Sequence, residues 1–240
     1  MQRICVIGDS TTAALKAAWG EIGAEMPDVS LTVFAAPGKM IGGLVVENGC
    51  ALVPGSEDLR RRMVLRSDGI GRIDIAGFDA YITCGMELDA AYISRVRTEL
   101  RSRKATEEAI LEAACARVGE TIHGQIVQKL RACTQSPLVM IPRPFRVISP
   151  EKPFWNRVRE TNSGPVFTDL FNRACERYAA QTRCRFLPQP QETVGETGID
   201  TAPAFARDGV RFFAEADDDL AHMNAVFGTL VLRAALAALN

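Results

Sequence analysis

Arg3-Ile4-Cys5-Val6-Ile7-Gly8-Asp9-Ser10-Thr11-Thr12 decides how the fold is read. An unbroken apolar run of strand length stops at Gly-Asp-Ser, and a helical pattern begins at once in Ala13-Ala14-Leu15-Lys16-Ala17-Ala18-Trp19. A run that is apolar on both alternating faces suits a buried parallel strand. Thr11 or Thr12 can cap the helix that follows, which is rich in good helix formers. Leu15, Trp19 and Ile22 recur at spacings of four and three, so they form one apolar face, and Pro27 prevents continuation. Strand, tight polar turn and helix together make the opening unit of an α/β domain.

The same alternation runs along the chain. Strands are expected at Arg3–Gly8, Val29–Ala35, Ala80–Cys84, Leu138–Ile141 and Cys184–Leu187, and helices at Thr12–Glu25, Thr106–Cys133, Val166–Gln181 and Ala221–Leu239. Such order predicts one parallel sheet covered by helices on both faces. At 240 residues a single domain, 1–240, accommodates it. Two stretches interrupt the pattern. Within 41–78, Asn48-Gly49 lies between the apolar runs Leu44-Val45-Val46 and Ala51-Leu52-Val53, which signals a tight hairpin in a hairpin or lid insertion. Residues 143–165 are rich in Pro, Arg and aromatic residues and read as a long loop of the kind that binds or covers ligands.

Composition narrows the function classes. Lys and Arg number 28 against 29 Asp and Glu, a net charge of −1, which argues against bulk electrostatic binding to nucleic acid or anionic membrane. No apolar stretch reaches the ~20 residues that span a bilayer. Met1-Gln2-Arg3 runs directly into the first strand without a leader-like pattern, so a cytoplasmic location is expected. The seven cysteines are scattered, with no Cys-x-x-Cys pair, and read as reduced, buried thiols rather than metal or redox motifs. No Walker-type or Gly-x-Gly-x-x-Gly loop occurs, so nucleotide binding has little support.

In an open parallel sheet, ligands bind at the carboxyl ends of the strands. Ser10 stands at such an end and at a helix N-terminus, where free amide N–H groups and the helix dipole favour negative charge. The position suits an attacking alkoxide and the oxyanion formed beside it. Near the other end, Asp217-Asp218-Asp219-Leu220-Ala221-His222 contains Asp-x-x-His. Asp219 can orient the imidazole of His222, which can take and return the Ser10 proton. The chain has only two histidines. His123 falls within a helical segment and is expected to be a partly exposed helical residue, while His222 could equally serve only as a cap of the last helix.

Taken together, Val6-Ile7-Gly8-Asp9-Ser10, a glycine after the second strand, a Gly-x-x turn after the third and the late Asp219-x-x-His222 resemble the SGNH, or GDSL-type, hydrolases. The resemblance implies a three-layer α/β/α sandwich with a five-stranded parallel sheet of flavodoxin-like topology. It further implies acyl-ester hydrolysis or acyl transfer without metal or organic cofactor. Carried over by position, Ser10 is the nucleophile, His222 the base and Asp219 its orienting partner. The oxyanion hole takes the Ser10 amide, a glycine amide best matched by Gly38, and a side chain at position 87. There the family places asparagine and this chain has Glu87, which as a carboxylate cannot donate. A protonated Glu87, a substitute donor such as Asn224 or Arg143, or weaker catalysis would follow.

Arg143 and Trp155 are the substrate-binding candidates, within a rim that also offers Lys39, Arg146, Lys152, Arg157 and Arg159 to an anionic or sugar-rich substrate. Phe145, Phe154 and Trp155 could wall such a site or pin the loop to the core. The expected substrate is a small-molecule or carbohydrate ester, an acetyl ester among them. The alternatives are an O-acyltransferase to a glycan hydroxyl, a non-catalytic binding module of the same fold, and a flavodoxin-like receiver or cofactor carrier.

Overall fold

A computed structural model describes residues 1–101, 104–147, 160–161, 163–206 and 222–239. The strands are β1 (Gln2–Gly8), β2 (Val29–Ala35), β3 (Leu44–Glu47), β4 (Ala51–Pro54), β5 (Ile73–Asp74), β6 (Ala80–Cys84), β7 (Leu138–Ile141) and β8 (Arg185–Phe186). The helices are α1 (Thr12–Ile22), α2 (Glu57–Val64), α3 (Ala90–Arg101), α4 (Glu107–Glu120), α5 (Ile122–Cys133), α6 (Gly164–Gln181) and α7 (Ala225–Leu239). The main sheet is five-stranded in the order β2-β1-β6-β7-β8, and every pairing in it is parallel. This is the expected three-layer α/β/α architecture.

Alternation along β1 shows why both faces are covered. Ile4 and Val6 join the core beneath α1 and α7, whereas Cys5 and Ile7 join the core on the opposite face, beneath α4, α5 and α6. β6 repeats the division, with Ile82 on the first face and Tyr81 on the second. Each large apolar side chain so buried contributes about 1.5–3 kcal/mol, and these short strands are buried on two sides.

α7 and α1 pack unusually closely. A Cβ at Gly228 would lie 2.0 Å from the Ala14 carbonyl oxygen, so only glycine lets the helices meet there. The buried face of α7 runs through Phe227, Val231, Leu232, Ala235, Leu236 and Leu239, a helical stripe laid against α1 and the sheet.

Several expectations are corrected. The helix expected over Thr106–Cys133 is two helices, because Thr121 adopts an extended conformation (φ −64°, ψ 158°) and its hydroxyl caps α5 at the Gly124 amide. A helix not read from sequence, α3, lies between β6 and α4. The strand expected at Cys184–Leu187 is the two-residue β8. The 41–78 segment does contain the hairpin: β3 and β4 pair antiparallel around Asn48-Gly49, both at positive φ, and β5 completes a three-stranded second sheet. Its Leu44, Leu52, Leu59, Met63 and Ile73 are core residues, so the insertion is built into the second hydrophobic layer. Not all thiols are buried: Cys50 is exposed and Cys133 and Cys184 are half-buried. Among the described residues no helix is long and apolar enough to cross a membrane.

Candidate active site

Register places the site. Gly8 pairs with Ala35 on one side and Cys84 on the other, and Cys84 pairs with Ile141. The turns that follow these four residues therefore emerge in a row at one sheet edge, carrying Asp9-Ser10, Pro37-Gly38-Lys39, Gly85-Met86-Glu87 and Arg143. The strand order reverses direction between β1 and β6, the crevice where α/β sheets of this type bind ligands.

Ser10 is half-buried. Its carbonyl accepts from the Ala13 amide, and the Thr12 amide and hydroxyl both bond the Asp9 carbonyl, which tightens the entry into α1. His222 reaches Ser10 from the far end of the chain, with Nε2 2.6 Å from Oγ. Local structure explains its arrival. Met223 bridges Ala206, Asn224 caps α7 by accepting from the Phe227 amide, and α7 is locked on α1, the helix that starts two residues after Ser10. Asp219 and Trp155 lie outside the described residues.

Asp9, the neighbour of the serine, is 1% exposed and accepts four hydrogen bonds. Oδ1 takes the Thr11 amide (3.0 Å) and hydroxyl (2.7 Å). Oδ2 takes the Met86 amide (2.8 Å) and Arg143 Nη2 (2.9 Å). One carboxylate thus ties the Ser10 turn to the turn after β6 and to the segment after β7. Such saturation is what allows a charge to stay buried. Arg143, expected to bind substrate, is first a partner of Asp9. Burial works against its charge, but the Asp9 carboxylate outweighs that and raises its pKa above the usual value.

The turn after β6 is left-handed through three consecutive residues, Gly85 (φ 75°), Met86 (53°) and Glu87 (66°). Non-glycine residues there carry a strain of order 1–3 kcal/mol each. Gly85 is obligatory, since a Cβ would sit 2.2 Å from Thr11 Oγ1 and 2.4 Å from Asp9 Oδ1. His123 holds the turn from below and, contrary to expectation, is fully buried. Its amide donates to the Met86 carbonyl (2.9 Å), and Nδ1 lies 3.0 Å from the Gly85 carbonyl. A carbonyl only accepts, so Nδ1 carries the proton and Nε2 accepts from the Thr83 hydroxyl at 2.8 Å. Desolvation pushes the His123 pKa down to about 4, against the Gly85 hydrogen bond and the Asp9 charge, so the ring is neutral near pH 7.

Glu87 points outward and pairs with Lys39, with Oε1 3.2 Å from Nζ. The ion pair joins the turns after β2 and β6, which flank the strand bearing Ser10 and stand about 10 Å apart at two strand spacings. Gly38 has φ 52°, is exposed and would place a Cβ in open space. Asn224, weighed as a substitute donor, is otherwise engaged: its amide nitrogen donates to the Ala204 carbonyl while its oxygen caps α7.

The structure therefore brings Ser10 and His222 into contact and gathers Gly38, Glu87 and Arg143 at the same edge. The buried clamp of Asp9, Thr11, Thr83 and His123 escaped the sequence reading. Its one legible sign was a carboxylate placed directly at the end of an apolar strand, between Gly8 and Ser10.

No protein-family model matches the sequence, and no curated protein matches it. Among solved structures the chain is similar to a protein of Bacteroides fragilis assigned as an acylhydrolase, at 9% identity and a TM-score of 0.45, covering 100% of this chain and 88% of the other. It is also similar to a GDSL-like lipase of Bacteroides thetaiotaomicron, at 9% identity and a TM-score of 0.43, over 98% and 86% of the respective chains.

Proposed function

We propose that the protein is a serine-dependent ester hydrolase of the SGNH type that works through an acyl-enzyme on Ser10. The observation that carries this reading is the 2.6 Å contact between Ser10 Oγ and His222 Nε2 at the carboxyl edge of the sheet, beside the start of α1. A serine hydroxyl is a weak nucleophile until a neighbouring base takes its proton.

The steps follow from those atoms. His222 Nε2 accepts the Ser10 proton as Oγ bonds to the ester carbonyl carbon, whose π electrons move to oxygen. The tetrahedral adduct collapses, the ester C–O bond breaks, and the imidazolium returns the proton to the departing alkoxide. Water then repeats the sequence and frees the acid. Asp219 is proposed to fix the His222 tautomer, supported by the Asp-x-x-His spacing.

The oxyanion is proposed to rest against the Ser10 and Gly38 amides. Among the described residues the Ser10 amide makes no hydrogen bond, leaving its N–H available at a helix start. Glu87 supplies no donor, and the paired Lys39 ammonium offsets its negative charge. Restoring a side-chain amide by Glu87→Asn is therefore expected to raise turnover, toward the ~10²–10³ that one such donor contributes.

Acetyl esters, including those of carbohydrates, are the proposed substrates. The test is hydrolysis of 4-nitrophenyl acetate together with covalent labelling by a fluorophosphonate. Both are expected in the wild type and lost in Ser10→Ala and His222→Ala. Hydrolysis unchanged in Ser10→Ala would overturn the reading.

A further inference from the structure

The guanidinium of Arg143 has a second side. Only Nη2 is spent on Asp9, the side chain remains 26% exposed, and it forms part of the wall of a cavity of about 370 Å³. That volume lies in the range of small-molecule sites. Arg95 from α3 and Arg146 from the segment after β7 line the same cavity, and Phe145, Phe167 and Ile199 supply its apolar surface.

The charges are unbalanced. Asp89 is the carboxylate on the wall, and its Oδ1 is already engaged in capping α3 at the Ala91 and Tyr92 amides. On the same helix Arg97 and Arg101 both pair with Glu107, facing away from the cavity, whereas Arg95 has no ion-pair partner among the described residues. Arg146 likewise has none there. The wall is also preformed. The Phe145 amide donates to Gln189, the Phe145 carbonyl accepts from the Thr201 hydroxyl, and the Thr201 amide donates to the Arg146 carbonyl.

We infer that this cavity is an anion subsite that receives a carboxylate or phosphate carried by the substrate, with the substrate's apolar portion against Phe145, Phe167 and Ile199. The inference rests on the ester-hydrolase reading for its place in catalysis. Arg143 links the two, because the carboxylate it touches belongs to the residue before Ser10. Forked guanidinium donors match the paired oxygens of carboxylate and phosphate, and the exposed Arg95 and Arg146 side chains stand at the mouth where such a group would enter. The natural substrate is then an anionic ester rather than a neutral one.

Phenyl phosphate, a dianion on an apolar ring, is the probe, and benzyl alcohol is its neutral counterpart. Calorimetric titration of Ser10→Ala protein is expected to show saturable binding of phenyl phosphate, weakening as salt rises, and none of benzyl alcohol. Arg95→Gln combined with Arg146→Gln should weaken that binding about tenfold or more for each arginine lost. In wild-type protein, phenyl phosphate should slow fluorophosphonate labelling of Ser10. Absent binding, binding unchanged in the double variant, or labelling indifferent to bound phenyl phosphate would each overturn the subsite. Labelling of wild-type Ser10 without phenyl phosphate reads the nucleophile separately. Its absence would sink the hydrolase reading, while the titration would still report on the anion site.

Discussion

The two turns that flank Ser10 are built in opposite ways. After β6, Gly85-Met86-Glu87 is clamped through Met86 and Gly85 by buried Asp9 and His123, and its backbone is held in a conformation that costs energy. After β2, Gly38 and Lys39 are exposed, and the Lys39 side chain, 82% accessible, is tied down by the surface pair with Glu87. One side of the serine is a fixed wall and the other an open shoulder. Rigidity is concentrated in the turn whose backbone amides and carbonyls are held by buried side chains beside Ser10. The shoulder meets solvent, where side chains can adjust to an arriving ligand.

The most severe test of that contrast is Asp9→Ala, which strands the Arg143 guanidinium and two backbone amides. A loss of about 3–5 kcal/mol is expected by urea unfolding, the usual result of breaking a buried pair. A loss below about 1 kcal/mol would remove Asp9 as the organiser of the wall.

His123 gives the next effect. Its folded pKa of about 4 lies below the unfolded value near 6.5, so the unfolded chain takes up the proton first as pH falls. Its contribution is level above about pH 6.5 and declines from there to about pH 4, by about 3 kcal/mol in total. Unfolding curves across that window should show the slope in the wild type, and His123→Gln should lack this component.

Gly85→Ala forces a methyl onto Thr11 and Asp9 at a left-handed φ, for an expected loss of about 2–3 kcal/mol in the same assay. Glu87→Gly runs the other way. Relief of the left-handed strain should stabilise the protein by about 1 kcal/mol, sharpening the view that the wall stores strain. Smallest of all is Lys39→Met, expected to shift stability by less than about 0.5 kcal/mol because an exposed ion pair contributes little. A larger loss would mean that the shoulder is as structural as the wall.

The sequence made some of this plain and hid the rest for physical reasons. Val29–Ala35, Ala80–Cys84 and Leu138–Ile141 were legible to the residue, since each is a short run rich in β-branched and aromatic residues flanked by Pro, Gly or Asp. α3 was not. Its buried Ala90, Ile93 and Val96 alternate with Arg95, Arg97 and Arg101, leaving a thin apolar stripe. The break at Thr121 was invisible because threonine neither forbids a helix as proline does nor frees the chain as glycine does. Ser10 and His222 stood out by chemical type and by their places at a strand end and before a last helix. The clamp around them did not, because hydrogen bonds such as Asp9 to Met86 and His123 to Gly85 depend on tertiary placement. His123 looked like a surface residue from its own neighbours, and only the strained turn above it explains why it is inside.

The hydrogen bond between Ser10 and His222 spans 212 positions of sequence. Synthesis makes Ser10 long before His222, so the two can meet only after the residues between them have been made. Gly228, which sits against the Ala14 carbonyl, belongs to the same later stretch, so the packing of α7 on α1 and the contact at Ser10 wait for one part of the chain. Under the proposed chemistry, the Ser10 hydroxyl would lack its base until that part arrives.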